Sequence, residues 1–398
     1  HHFTSRSESS VPSVPLLSAT LLMAATSESA PTPTPSSMRV VIAGAGLAGT
    51  WLALALGQRG YQVTICERRS DFRDAMSFQG KSINLALSAR GRAAFRMVGL
   101  EEQIVEQGCP MTGRFMHSAD GKTFTRQAYG QPHEHIVSVG REMMLRKMLD
   151  AVEQLPNVDL IFDLKTLSVD FRKNTLIAEY MRGPRAGEKV QLEADLIVGA
   201  DGAYSRVRSS MARQRGYNFS QEYLGHGYKE LTIPPTADGE FAMPCDALHI
   251  WPRHEFMMIA LPNPDRSFTV TLFMPWEGPR GLRALDAASD EEVLAFFQDT
   301  FPDSVPLMPT LLADFRENDS SYLIMIRCRP FSRGNTVLVG DAAHAVVPFF
   351  GQGMNASLED ARILVELLEK HNNKVPETLV EYTELRKPDA DAIRCVAP

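Results

Sequence analysis

The chain has 398 residues, 44% hydrophobic and 22% charged, a composition that supports a sizeable core and room for two domains. A net charge of −7 argues against a nucleic-acid partner, leaving only short basic clusters such as SRVRSS at 205–210 for local phosphate contact. Five scattered cysteines (Cys66, Cys109, Cys245, Cys328, Cys395) form no Cys-x-x-Cys pair, which excludes a disulfide scaffold and a zinc site and reads as reduced thiols.

Residues 1–37 are rich in Ser, Thr, Pro and Ala and read as a disordered tail, with starts available at Met23 and Met38 and a targeting peptide as one reading. The apolar stretch 11–25 contains two prolines and falls short of the ~18 residues that span a bilayer. Order begins at RVVIAGAGLAGTWLALALGQRGYQVTICERR: a β-branched strand, a Gly-rich turn, an apolar helix stopped at Gly60, and a second strand ending at Glu67. In this βαβ unit Gly44 permits a tight turn, Gly46 lets a pyrophosphate approach the backbone, and Gly49 allows close helix–strand packing. Glu67 follows where an acidic side chain accepts ribose hydroxyls, which favours FAD or NAD over NADP in this site.

Further along, the spacing predicts a helix over 89–107 closed by Gly108 and Pro110, and a hairpin over 111–130 turning at Asp120-Gly121. A helix is expected over 140–155, then strands at NVDLIF and DLIVGAD. Three β-rich runs between 247 and 275 read as an antiparallel meander. A helix near 290–300, a buried strand at TVLVGD and a helix from Met354 to Lys370 complete the pattern. The expected fold is α/β: a Rossmann-like FAD/NAD(P)-binding domain assembled from discontinuous segments, with an inserted antiparallel sheet. Asp341 would end a strand at the carboxyl edge, where a carboxylate can hold a polyol hydroxyl; the competing reading makes it a helix cap. Gly351 and Gly353 would let backbone approach a planar ring, with a helix N-terminus aimed at it. The HEH run at 133–135 offers no third metal ligand, and His249 and His344 read as structural.

ADLIVGADGAYSRVR (194–208) and VLVGDAAHAVVPFFGQGMNASLEDA (337–361) resemble the Asp-Gly and Gly-Asp motifs of the single-component flavoprotein aromatic hydroxylases, whose fold is p-hydroxybenzoate hydroxylase-like. SINLALSARGRAA, YKELTIPP and LHIWPRHEFMMIALPNPDRSFTVTLFMPWE resemble the kynurenine 3-monooxygenase family within that group, over Arg39 to about Ile393. The resemblance implies FAD held by Gly44, Gly46, Ala48, Gly49, Glu67, Arg68, Ala86, Arg141, Asp341, Met354 and Asn355, beside Gly353. It places an adenine-side contact on Thr166, where the family carries an apolar residue, and sets Asp201 and Gly202 near the pyrophosphate, helping to admit NADPH. The implied substrates are L-kynurenine and O2. Arg114 would bind the substrate carboxylate and Tyr129 would add a hydroxyl hydrogen bond; by itself Arg114 reads as a solvated strand residue. No side chain is needed as general base, because the substrate's aniline nitrogen activates its ring, and VVPFF (346–350) would give a dry wall.

The implied domains are FAD-binding (38–110, 136–212, 320–372), substrate-covering (111–135, 213–319), and the opening of a C-terminal helical region (373–398). The family continues that region into a lid and, in eukaryotic members, a membrane anchor at the mitochondrial outer membrane; the chain reads as stopping short of both and as soluble. Two readings compete with a kynurenine hydroxylase: another aromatic-acid hydroxylase, and a lid-less remnant that only makes hydrogen peroxide.

Overall fold

The computed structural model describes residues 37–73, 84–131 and 133–395. The expected tail, save its last residue, and Ser82-Ile83 of the SINLALS string therefore lie outside the described residues.

The βαβ unit forms as expected from β1 (Arg39–Ala43), α1 (Leu47–Gln58) and β2 (Gln62–Cys66). α1 is buried from Gly49 to Gly57, as an all-round apolar helix must be. Next come β3 (Asn84–Leu87), α2 (Ala89–Met97), α3 (Glu101–Val105) and β4 (Cys109–Met111). The single helix expected over 89–107 is thus two, broken where Gly99 adopts a φ of 75°. The hairpin β5 (Gly113–His117) and β6 (Phe124–Ala128) follows, then β7 (Ile136–Gly140), α4 (Arg141–Val152) and β8 (Val158–Ile161). β9 (Leu164–Asp170), β10 (Thr175–Tyr180) and β11 (Lys189–Glu193) make a small antiparallel sheet that the sequence reading lacks.

After β12 (Leu196–Gly199) and α5 (Arg206–Ala212) the chain enters the long β13 (Asn218–Ile233) and the meander β14 (Ala247–Arg253), β15 (Phe256–Pro262) and β16 (Phe268–Pro275). Three helices, α6 (Leu282–Ala287), α7 (Asp290–Thr300) and α8 (Leu311–Glu317), cover one face of that sheet through a Phe-rich core that includes Phe268, Phe297 and Phe315. β17 (Ser321–Arg329), β18 (Ser332–Arg333) and β19 (Thr336–Leu338) lead to the short α9 (Asp341–His344) and to α10 (Gly353–Lys370) and α11 (Val375–Cys395).

The dinucleotide layer is a six-stranded sheet ordered β18-β19-β12-β1-β2-β8, parallel from β19 to β8. A second, seven-stranded sheet runs β17-β13-β16-β15-β14-β5-β6. It is mixed and not wholly antiparallel as expected: Ala247 to Ile250 of β14 run parallel to Gly113 to Met116 of β5. The cause is the route of the chain, because β5 is reached from β4 in the separate β3-β7-β4 sheet and not through a hairpin. The boundary expected at 320 also moves, since β17 pairs with β13 in the large sheet. α11 packs on α10, and its Val375, Leu379, Tyr382 and Ala390 join the core of the dinucleotide layer, so the segment from 375 is part of that layer.

The first glycine turn controls how near α1 comes to the sheet. Gly44 has a φ of 98° and lies against Ala200, and a Cβ on Gly49 would sit 1.9 Å from the Gly44 carbonyl oxygen, whereas one on Gly46 meets nothing within 4 Å. Gly49→Ala is therefore expected to destabilise the fold by about 2 kcal/mol or more through overpacking. Gly46→Ala should cost less than about 1 kcal/mol. Thermal unfolding of the two variants checks the contrast.

Candidate functional site

The N-terminus of α1 is built to receive an anion. Its N-cap is Gly46, no side chain caps it, and its first turn holds no acidic residue. The first intrahelical bond runs from Thr50 N–H to Gly46 C=O, which leaves the amides of Leu47, Ala48 and Gly49 for an external acceptor. Because a side chain at Gly46 would project into open space, the turn offers a diphosphate both donors and room.

Two carboxylates flank this turn. Glu67, just beyond β2, accepts from the Ala45 amide through Oε2 and the Arg69 amide through Oε1, both at 3.0 Å, so it braces the glycine loop with lone pairs left for ribose hydroxyls. Arg68 beside it is exposed. The Leu164 amide donates to the Glu67 carbonyl at 2.8 Å, which starts β9 there, and Thr166 on that strand is buried. Asp201 follows β12 and caps α5: its Oδ2 accepts from the amides of Arg206 (2.6 Å) and Val207 (3.3 Å). Its Oδ1 is buried with no hydrogen-bond partner among the described residues. Burial pushes this carboxyl above the usual range. Gly202 next to it has a positive φ and open space beyond.

Asp341 begins α9. The residue is exposed, yet the protein packed around it costs its carboxyl enough solvation to push it up, and His344 and Arg141 pull it back. Arg141, exposed at the start of α4, thus shares its neighbourhood with Asp341 and also with Tyr228 of the large sheet. Around Asp341 the turn is pinned from two other elements, α10 and α5. The fully buried Asp360 of α10 takes the Gly340 amide (3.0 Å) and His344 Nε2 (2.5 Å), and buried Arg208 of α5 donates to the Ala342 carbonyl at 2.8 Å.

The N-terminus of α10 is the second open helix end, with no side-chain cap and no acid in its first turn. Gly353, Met354 and Asn355 precede its first intrahelical bond, from Ala356 N–H to Gln352 C=O. Asn355 is among the residues expected to hold FAD. Its side chain is committed to protein: Nδ2 donates to the carbonyls of Ala86 (2.8 Å) and Gly351 (3.0 Å), and Oδ1 accepts from the Ser88 amide (2.9 Å). What Asn355 presents to a ligand is its backbone amide. The same clamp brings Ala86 of β3 beside Gly351, where an added Cβ would lie 3.5 Å from that of Ala86.

On β5, Arg114 lies over the Tyr129 ring, 5.2 Å from its centre, and its Nε is buried with no hydrogen-bond partner among the described residues. This is no solvated strand residue: a cation held by an aromatic face with an idle donor fits a carboxylate ligand. Burial raises the Tyr129 phenol, and Arg114 offsets part of the rise. The VVPFF wall is split. Val347 is buried and Phe349 packs edge-on against Phe273 at 5.3 Å, but Phe350 is exposed. Leu323 completes that core, with Met257, Ile259 and Met325 packed against it. The sequence reading missed these wall residues; the alternation along β15 to β17 was the available signal. Arg208, Asp360 and Arg386 were missed too, because each acts on a segment far away in sequence.

These donors and acceptors fit an FAD: two open helix N-termini, the Glu67 carboxylate beside the glycine turn, an Asp201 oxygen idle among the described residues, and Asp341 at the start of α9. Residues 37–397 match the family described as FAD binding domain. The chain is 46% identical over 358 residues to kynurenine 3-monooxygenase of Anopheles gambiae, covering 89% of this chain and 72% of that one. It is 44% identical to the pig (Sus scrofa) enzyme of the same name, with 89% and 74% covered, and 41% identical to that of Flavobacterium psychrophilum, with 90% and 78% covered. Among solved structures, 2-methyl-3-hydroxypyridine-5-carboxylic acid oxygenase superposes with a TM-score of 0.73 at 22% identity over 90% of both chains. p-Nitrophenol 4-monooxygenase from Pseudomonas putida superposes at 0.71 with 19% identity, over 90% of this chain and 86% of that one. Both share the fold.

The His344–Asp360 pair has a definite pH signature. Burial works against the imidazolium, but Asp360 outweighs it and raises His344 above its ordinary 6.5; Asp360, with burial opposing, is held below 3.8 by His344 and Arg386. The stability from His344 is complete below its unfolded value and is lost as pH rises through the raised folded value, whereas that from Asp360 is lost only in acid. As pH rises above about 6.5 and through the raised folded value, the thermal midpoint of the wild type should fall more steeply than that of His344→Gln. Parallel slopes would remove the charge from this pair.

Proposed function

The chain belongs to the kynurenine 3-monooxygenase family of FAD-binding monooxygenases, and on that premise we propose a role for each residue of its site. The protein is a flavoprotein monooxygenase that uses NADPH and O2 to hydroxylate L-kynurenine to 3-hydroxykynurenine. Bound FAD supplies the redox chemistry that links NADPH to O2.

The amides that follow Gly44 and Gly46, at Ala48 and Gly49, carry the diphosphate, with Asp201 and Gly202 beside it where NADPH is admitted. Glu67 and Arg68 hold the adenosine ribose, and Thr166 lines the adenine side. Asp341 and Arg141 address the polyol and ring, against the backbone of Ala86, Gly353, Met354 and Asn355. A helix N-terminus there stabilises negative charge on a reduced ring. Arg114 takes the substrate carboxylate, with Tyr129 fixing the guanidinium plane. The observation that carries this assignment is the buried, unpartnered Arg114 Nε over that ring.

The protein's further task is to keep water out. Val347, Phe349, Phe273 and Leu323 form an apolar body between the flavin loop and the large sheet, which limits loss of activated oxygen as peroxide. No acid or base is assigned, since the aniline nitrogen of the substrate already enriches its ring. We divide the chain into an FAD-binding layer and a substrate-covering sheet near the boundaries read from sequence, with β17 moved to the sheet and α11 to the layer. Among the described residues no helix is long and apolar enough to cross a membrane. For location the family resemblance supports the mitochondrial outer membrane, and subcellular fractionation checks it.

The deciding experiment is NADPH oxidation by the FAD-loaded chain with and without L-kynurenine, scoring 3-hydroxykynurenine against hydrogen peroxide. Product matching NADPH consumed is the expected result; peroxide alone overturns coupled hydroxylation. Arg114→Ala should raise the KM for L-kynurenine by about 10- to 100-fold, the loss of one charged hydrogen-bonded contact, with FAD affinity unchanged.

A further inference from the structure

The turn that carries Asp341 is held from outside its own loop, by a buried ionic chain that ends on the last helix. The two oxygens of Asp360 divide the work. Oδ2 accepts from Gly340 N–H and from His344 Nε2, and Oδ1 accepts from Arg386 Nε at 2.6 Å. Gly340 directly precedes Asp341 and His344 ends the same single-turn helix, so one carboxylate oxygen grips both ends of the segment. Asp360 also lies on α10, whose N-terminus forms the other half of the flavin-facing site.

Arg386 is 2% exposed, and its remaining nitrogens face Asp389 at 2.7 Å and Glu359 at 3.1 Å. The assembly has no slack: a Cβ on Gly340 would meet Ser357 Oγ of α10 at 2.7 Å. Without the guanidinium, Asp360 keeps only His344 and one amide to balance a charge with no solvent. Drawing those donors closer, or taking up a proton, then displaces the turn relative to α10.

We propose that Arg386, on α11, is a positioning residue for the flavin site: through Asp360 it sets Asp341 against the N-terminus of α10. The inference rests on the FAD assignment of those two groups. It makes cofactor affinity depend on a helix that lies outside every nucleotide-binding motif in the chain.

The test compares Arg386→Met, Arg386→Lys and Tyr382→Phe in the full chain, by titrating apoprotein with FAD, by the visible circular dichroism of bound flavin, and by thermal midpoint. Tyr382→Phe serves as the control for packing, because Tyr382 lies on the same helix as Arg386 and the change removes only the 3.3 Å bond that its hydroxyl donates to the Leu338 carbonyl of β19. Arg386→Met should raise the FAD Kd about tenfold and alter the flavin dichroism, and Arg386→Lys should do the same to a lesser degree, about threefold. Tyr382→Phe should lower the thermal midpoint and leave both flavin readouts alone. Should the Met variant not fold, the Lys variant decides. Unchanged Kd and dichroism in the Arg386 variants, or equal changes in Tyr382→Phe, would overturn the proposal and reduce α11 to packing. A wild-type chain that binds no FAD would instead overturn the reading of the site beneath it.

Discussion

A carboxylate with no access to solvent, Asp360, is the interaction on which the cofactor layer depends. Taking such a charge out of water costs several kcal/mol, and only a set of well-placed donors offsets it. Here those donors come from the Gly340 turn, from His344 and from Arg386, so the β19–α9 turn, α10 and α11 must assemble together or leave a charge stranded. An apolar residue at 360 would pack without that penalty, but nothing would then oblige the Asp341 segment to take one position. The buried ion serves placement more than stability.

Helix α7, on the large sheet, makes a contrast with α1 and α10 of this layer. α7 begins with a full capping box, Ser289 and Glu292 each satisfying the other's backbone, with Asp290, Glu291 and Glu292 in its first turn. α1 and α10 have neither caps nor first-turn acids. Their free amides and positive dipole ends would be a small defect in a structural helix, and here they are the groups an anionic or electron-rich cofactor needs. β5 is equally two-faced. Arg114 lies over Tyr129, while Phe115 and His117 on the other face join a stack with His249 and Trp251. His117 bonds to Asp303 at 2.6 Å and to His249 at 3.0 Å. That network fastens the strand from behind and leaves its front free to carry the cation.

Much of this was legible in sequence where the cause is local. The first βαβ unit, the hairpin at Asp120-Gly121, the meander and α10 all follow from periodicity and turn chemistry within a few tens of residues. Glu67 and the first glycine turn stand at the ends of β2 and β1 as their spacing placed them, whereas the last strand stops at Leu338 and Asp341, read as its end, opens α9, nearer to the competing helix-cap reading. The failures share the opposite property. Gly99 splits a helix that periodicity alone joins, the parallel pairing of β5 with β14 depends on residues more than a hundred positions apart, and β17 looks like a strand of either sheet until its partner is known. Arg386 stands on a helix interrupted by Pro388 among charged neighbours, a pattern that reads as surface, and only the fold brings Asp360 to it.

Asn355 shows where motif reading and physical reading part. Taken from the string GQGMN, it is one of the residues that the resemblance gives to the cofactor. In the fold every polar atom of its amide is already matched, to Ala86, Gly351 and Ser88, and the residue is fully buried. The requirement for an asparagine at this position therefore comes from geometry between protein parts: only a side chain with both a donor and an acceptor can tie the β3 edge and the glycine loop to the first turn of α10 at once. The chemistry offered to the ring is then backbone chemistry, which any residue could supply. The side chain ensures that the amide is in place to supply it.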